Sequence, residues 1–304
     1  MKLAMVRRSG SPCLARVDQS GTRFWPVAEL GSGLPPDMAG LIAALSAGAT
    51  LAEPAGEGTP LEPADLLAPL PNPPRNIFCV GKNYFAHAKE FAGSGYDSSS
   101  TSAADAIPKA PIIFTKPSTS ISGPWDDIPL VAGLDAEVDY EAELAVVIGR
   151  GGRCIPKAQA MEHVFGYTVV NDVTARDLQG KHKQWLLGKG IDGFCPMGPW
   201  IVTADELSAS AMRVTCSVNG EKRQDAVTAD LIFDIPTLIE TISLSMALLP
   251  GDVIATGTPE GVGIGFKPPR FLRHGDVVEC AIGGIGTIRN TLRQASMAEL
   301  RGAA

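Results

Sequence analysis

The chain has 304 residues, 26 Lys plus Arg against 33 Asp plus Glu, and a formal net charge of −7. Apolar residues make up 45% and charged residues 19%, an ordinary globular composition that excludes bulk disorder. An acidic balance with no Lys/Arg block argues against nucleic acid and anionic membrane surfaces as partners, while one local cation can still serve an anionic substrate.

Residues 1–72 read as a small N-terminal α/β domain ending in a proline-rich linker, and residues 73–304 as the main domain. Short strands are predicted at 2–7 and 22–27. Asp37 caps a helix through Ala47, with Met38, Leu41, Ile42 and Leu45 at helical spacing and Gly48 as its stop. From Glu53 to Pro74 prolines and acids crowd together, which stiffens the chain and ends regular structure.

The main domain opens with a buried strand at 76–81, followed by a short helix carrying His87 and Glu90. The small polar stretch 92–106 reads as a mobile loop. Strands are predicted near 112–114, 140–148 and 166–170, with a helix near 157–163 between the last two. Asp234-Ile-Pro236 starts a helix that sets Leu238, Ile242 and Met246 on one face, and Pro250-Gly251 stops it. Strands at 253–256, 277–281 and 286–289 finish the chain. With 33 Gly and 24 Pro, the pattern suits a β-rich α+β fold better than a helical bundle.

Six scattered cysteines form no C-x-x-C pair, so reduced thiols are expected, with Cys79 as a small core residue. No apolar segment reaches the roughly 20 residues that span a bilayer, and none near the start suits a signal peptide. A cytoplasmic location follows as the expectation.

The sharpest feature is Asp139-Tyr-Glu141-Ala-Glu143 running into an apolar, β-branched stretch. Residues two apart on a strand share a face, so three carboxylates are expected side by side. One reading is a solvated strand face. The other is a divalent-metal site, completed by Asp172 at the end of another apolar strand. A set with oxygen donors alone suits Mg²⁺ or Mn²⁺, with Ca²⁺ accepted by the same donors, and leaves about three positions open to a chelating 2-keto acid.

These residues, with Gly81-Lys82-Asn83-Tyr84, Phe114-Thr-Lys116-Pro, residues 166–179, Gly188-Lys189-Gly190 and residues 250–263, resemble the fumarylacetoacetate hydrolase family in the right order over about 75–290. The resemblance implies a mixed β-sandwich roll, a divalent metal and a homodimer. It implies Glu141, Glu143 and Asp172 as metal ligands, and His87 with Glu90 as a general-base pair on a lid helix. It also implies Lys189 facing the substrate, and Arg176, Gln179 and Thr258 contacting its carboxylate and oxo groups. Lys82 stands where Leu is frequent and Gly190 where Ser is, departures that bear on the substrate.

The physical chemistry of each residue is compatible with these roles. His87 and Glu90, three apart, share a helix face, and a carboxylate raises imidazole basicity. Lys189 suits a developing enolate charge, and Arg176 a carboxylate held by two parallel bonds. Each also has a plainer reading: an exposed helix pair, a surface lysine, and an ion pair of Arg176 with Asp177 or Asp172. The expected activity is divalent-metal-dependent C–C cleavage of an acylpyruvate-type acid through an enolate. Oxaloacetate decarboxylation, a hydroxymuconate-type isomerase or decarboxylase, and a non-catalytic dicarboxylate-binding protein are the alternatives.

Overall fold

The computed structural model describes residues 1–95, 106–296 and Glu299. Of the stretch read as a mobile loop, residues 96–105 lie outside the described residues. The first segment holds β1 (Lys2–Arg8), β2 (Ser11–Val17), β3 (Arg23–Pro26), α1 (Val27–Leu30), α2 (Met38–Ser46), β4 (Thr59–Pro60) and β5 (Leu66–Leu67). Next come β6 (Ile77–Gly81), α3 (Phe85–Ala92), β7 (Ile112–Lys116), β8 (Ile121–Ser122), β9 (Ile128–Val131), β10 (Val138–Asp139) and β11 (Ala142–Ile148). The chain continues through β12 (Val164–Asn171), β13 (Thr174–Ala175), α4 (Arg176–His182), α5 (Leu186–Lys189) and β14 (Cys195–Thr203). It ends with β15 (Arg213–Val218), β16 (Glu221–Val227), α6 (Ile235–Ser245), β17 (Val253–Ala255), β18 (Val277–Ile282) and β19 (Gly286–Ala295).

Two sheets, with the short β10–β13 pair beside them, carry this β-rich α+β fold. The larger runs β4-β3-β2-β1-β14-β12-β11-β17-β6-β7, with β5 on β1 and β8 on β14; the smaller runs β16-β15-β18-β19-β9. The N-terminal strands are not a sheet of their own, because Lys2 and Leu3 pair with Val202 and Ile201 of β14.

β11 explains why its sequence is apolar without alternation. Leu144, Val146 and Ile148 pack with Val214, Cys216 and Ile282 of the smaller sheet. Ala145 and Val147 face the other way, against Met38, Leu41 and Ile42 of α2. A strand buried on both faces reads as one continuous hydrophobic run. α2 is held at its start by Asp37, whose Oδ1 accepts a 2.8 Å bond from Gly40 N. Asp37→Ala is expected to cost about 1 kcal/mol, a fall in Tm of about 2 °C in a thermal melt.

Three expectations need correction. The predicted strand at 140–148 starts only at Ala142, because side chains capture the backbone before it. Asp139 Oδ1 accepts from Tyr140 N at 2.9 Å, and Asn171 Oδ1 accepts from Glu141 N at 2.9 Å. Residues 157–163 form a 3₁₀ segment rather than an α-helix. Met246 lies beyond the end of α6 and is 40% exposed, whereas Leu238 and Ile242 are buried. The stretch 195–227, where the sequence predicts no element, contains β14, β15 and β16. All six cysteines are free, and Cys79 is fully buried. No helix among the described residues is long and apolar enough to cross a membrane.

Candidate metal centre

The β11–β12 register sets Ala142 opposite Asn171, which brings Asp172 beside Glu141 and Glu143. Each of the three offers a carboxylate oxygen within 4.8 Å of the others, and all are buried. Buried anions at that separation repel strongly and persist only with cations among them. Lys189 Nζ lies 2.7 Å from Glu141 Oε2 and 2.8 Å from Asp172 Oδ2. Lys116, fully buried, lies 2.8 Å from Asp172 Oδ1 and donates to Val173 O at 3.0 Å and to Lys189 O. Lys116, to which the family resemblance gives no role, is the anchor of both Asp172 and the end of α5.

Burial raises the Glu141 carboxyl, but Lys189, Arg176 and His87 outweigh it and hold it at about 2. Burial lowers Lys189, and Asp172 and Glu141 more than offset it, so the ammonium stays charged. Glu143 is different. Among the described residues it has no cation at ion-pair distance, and its Oε2 accepts only Gly257 N at 2.8 Å. Burial first, then Asp172 and Glu141, push its carboxyl well above the carboxylate range. An uncompensated buried carboxylate beside two others, with oxygen donors alone, fits a hard divalent ion.

Asp139 does not join this cluster, contrary to the same-face expectation. The strand break turns it toward Gly263 N (2.6 Å), Ile264 N (3.2 Å) and Arg176 Nε (2.9 Å). Arg176 Nη2 stands 2.9 Å from Asp139 Oδ2 and 2.7 Å from Glu141 Oε1, and Nη1 is 3.2 Å from Gln179 Oε1. Its plainer reading therefore has the right form but other partners than Asp177 or Asp172. With the fork so engaged, two parallel bonds to a ligand carboxylate are not available in this arrangement. Gln179, its oxygen taken by Arg176, keeps its amide nitrogen as a donor.

α3 closes the site from one side. His87, 4% exposed, sets Nδ1 3.3 Å from Glu90 Oε2. Glu90 in turn accepts Gly261 N at 3.1 Å and packs on Gly265, where any Cβ would lie 1.9 Å from its Oε1. Opposite, Gly188 lets α5 approach α4: a Cβ there would sit 2.6 Å from Gln179 N, so Lys189 reaches the cluster only because residue 188 is glycine. The cavity has a volume of about 20 Å³ and is lined by His87, Glu141, Glu143, Arg176, Gln179, Lys189 and Thr258, with Lys82, Phe91, Phe114 and Trp185 among its walls. That is room for about one water or ion. Thr258 Oγ1 donates to Ala142 O at 3.0 Å and accepts from Gln224 Nε2 at 2.8 Å. Its hydroxyl proton is thus already used.

Residues 76–293 match the family model described as Fumarylacetoacetate (FAA) hydrolase C-terminal. The oxaloacetate tautomerase YisK of Bacillus subtilis is 48% identical over 233 residues, covering 76% of this chain and 74% of that protein. A solved fumarylacetoacetate hydrolase from Exiguobacterium antarcticum superposes with a TM-score of 0.83 at 39% identity, covering 97% of this chain and 100% of the other. A 5-carboxymethyl-2-hydroxymuconate delta-isomerase structure from Mycobacterium smegmatis gives 0.74 at 37% identity, covering 97% and 99%.

Proposed function

The chain is an enzyme of the fumarylacetoacetate hydrolase family, and on that premise we propose that it interconverts the keto and enol forms of oxaloacetate or a similar small 2-keto dicarboxylate, with Glu141, Glu143 and Asp172 holding a divalent ion. The observation that carries this reading is the convergence of His87 and Lys189 on the same cavity as the acidic cluster. The 48% identity to an oxaloacetate tautomerase supports this reaction as the reading to test ahead of C–C cleavage.

The ion, when bound, supplies an electron sink for the 2-keto acid end of the substrate. Everything else falls to the side chains. Tautomerisation needs a proton taken from C3 and one delivered to the keto oxygen, with no carbon–carbon bond broken. His87, oriented through Nδ1 by Glu90, takes the C3 proton at Nε2 and returns it in the reverse direction. Lys189 spends two N–H groups on Glu141 and Asp172, and its third N–H is donated to the keto oxygen as charge develops there; water restores the ammonium proton, and His87 passes the C3 proton to solvent. Gln179 donates to the substrate through its amide nitrogen.

The test follows oxaloacetate and an acylpyruvate side by side on metal-stripped protein with Mn²⁺ or Mg²⁺ restored. Metal-dependent keto–enol interconversion without net consumption supports the proposal. Loss of oxaloacetate replaces it with decarboxylation, and cleavage of the acylpyruvate replaces it with hydrolysis, for which the His87–Glu90 pair would activate water. In the same assay His87→Asn is expected to lower kcat by about 10²–10⁴-fold while Mn²⁺ affinity stays within a few-fold of the parent. An unchanged kcat would remove His87 from the reaction.

A further inference from the structure

We propose that Gln224 is the positioning residue that sets the metal-holding strand against the loop 256–259, an inference that rests on Glu141, Glu143 and Asp172 being a divalent-ion site. Gln224 is fully buried on β16, an edge strand of the smaller sheet, whereas the cavity-lining residues belong to the larger sheet and to the helices and loops beside it. An irregularity in the β15–β16 ladder aims it inward: Cys216 pairs with Gln224 but Ser217 with Lys222, leaving Arg223 as an extra residue.

Its amide spans the two segments. Oε1 accepts from Ala142 N at 3.0 Å, between Glu141 and Glu143. Nε2 donates to Thr258 Oγ1 and to Pro259 O, both at 2.8 Å. Thr258 Oγ1 closes the ring by donating to Ala142 O at 3.0 Å. The same loop supplies Gly257 N, the hydrogen-bond donor to Glu143. Gln224 carries no charge, so it acts through the spacing of Glu141 and Glu143 from this loop. Partners that orient metal ligands in this way typically change metal affinity by about 10–100-fold when removed.

The control is Asn290, another buried amide of the smaller sheet, whose Nδ2 donates to Gly123 O at 3.1 Å and Asp126 O at 2.8 Å, away from the cavity. Gln224→Met, Gln224→Asn and Asn290→Leu are compared with the parent by thermal melting, by Mn²⁺ titration and by turnover at saturating Mn²⁺. All three are expected to melt lower. Only the Gln224 variants are expected to lose Mn²⁺ affinity, about 10–100-fold for Met, and to show reduced kcat. Gln224→Asn keeps the amide but withdraws it by one methylene, and supplies the readout if the Met variant does not fold. Mn²⁺ affinity within twofold of the parent in the folded Gln224 variants overturns the inference, as does an equal loss in Asn290→Leu. A parent that takes up no Mn²⁺ overturns the metal reading and this inference with it.

Discussion

Glu143→Gln is expected to abolish divalent-ion uptake and to lower turnover by at least about 10³-fold, equivalent to about 4 kcal/mol of barrier, while leaving the metal-free protein at least as stable as its parent. The two halves of this prediction share one cause. Glu143 is the carboxylate of the cluster without a cation partner among the described residues, and burial with its two acidic neighbours pushes its carboxyl far up. Without metal, the charged form opposes folding. The folded value lies above the ordinary 4.5, so the metal-free parent holds its full stability below about pH 4.5 and loses it as pH rises toward the folded value. Glutamine keeps the bond from Gly257 N and removes the charge, so the variant lacks this loss. Mn²⁺ at 100 times Kd is expected to stabilise the parent by about 2.7 kcal/mol and the variant not at all. Melting curves with chelator and with Mn²⁺, across pH, check both halves. A variant that still gains stability from Mn²⁺ sinks the assignment of Glu143.

What the sequence made legible was chemistry close together along the chain. Glu141 and Glu143, two apart, and His87 and Glu90, three apart, are read from strand and helix periodicity, and each pair meets its expectation of a shared location. Asp139 obeys the same spacing yet leaves the cluster, because two side-chain hydrogen bonds break the strand that the periodicity assumes to be continuous. β14 was hidden by Pro196, Gly198 and Pro199, residues that argue against a central strand. It pairs with β1 and β12 all the same, with a register shift opposite Tyr167–Val169. The β15–β16 hairpin does carry a local signal, Asn219-Gly220, which takes positive φ at the turn between short alternating segments. Lys116 and Gln224 left none. Their partners lie 57 and 73 residues away for Lys116, and 82, 34 and 35 for Gln224, so their roles exist only in the folded chain.

Arg176→Met is expected to be the most damaging single change to stability, costing about 3–5 kcal/mol, because it strands the carboxylates that the guanidinium serves. Asp139 is fully buried and its carboxyl is raised by burial, with Arg176 as the chief opposing influence. Three backbone N–H groups, of Tyr140, Gly263 and Ile264, still reach it after the substitution. They orient the carboxylate but bring no counter-charge. Glu141 retains Lys189 and loses less. At about 2–3 °C per kcal/mol for a chain of this size, Tm falls by roughly 6–15 °C. Arg176→Lys is not expected to rescue it, since one ammonium cannot replace a fork that meets Asp139, Glu141 and Gln179 together. The decisive comparison is Arg176→Met with Asp139→Asn. If the stranded charge causes the damage, the double variant recovers much of the loss, and its effect falls well short of the sum of the two singles. Additive losses would instead make Arg176 a matter of packing, and Asp139 irrelevant to it.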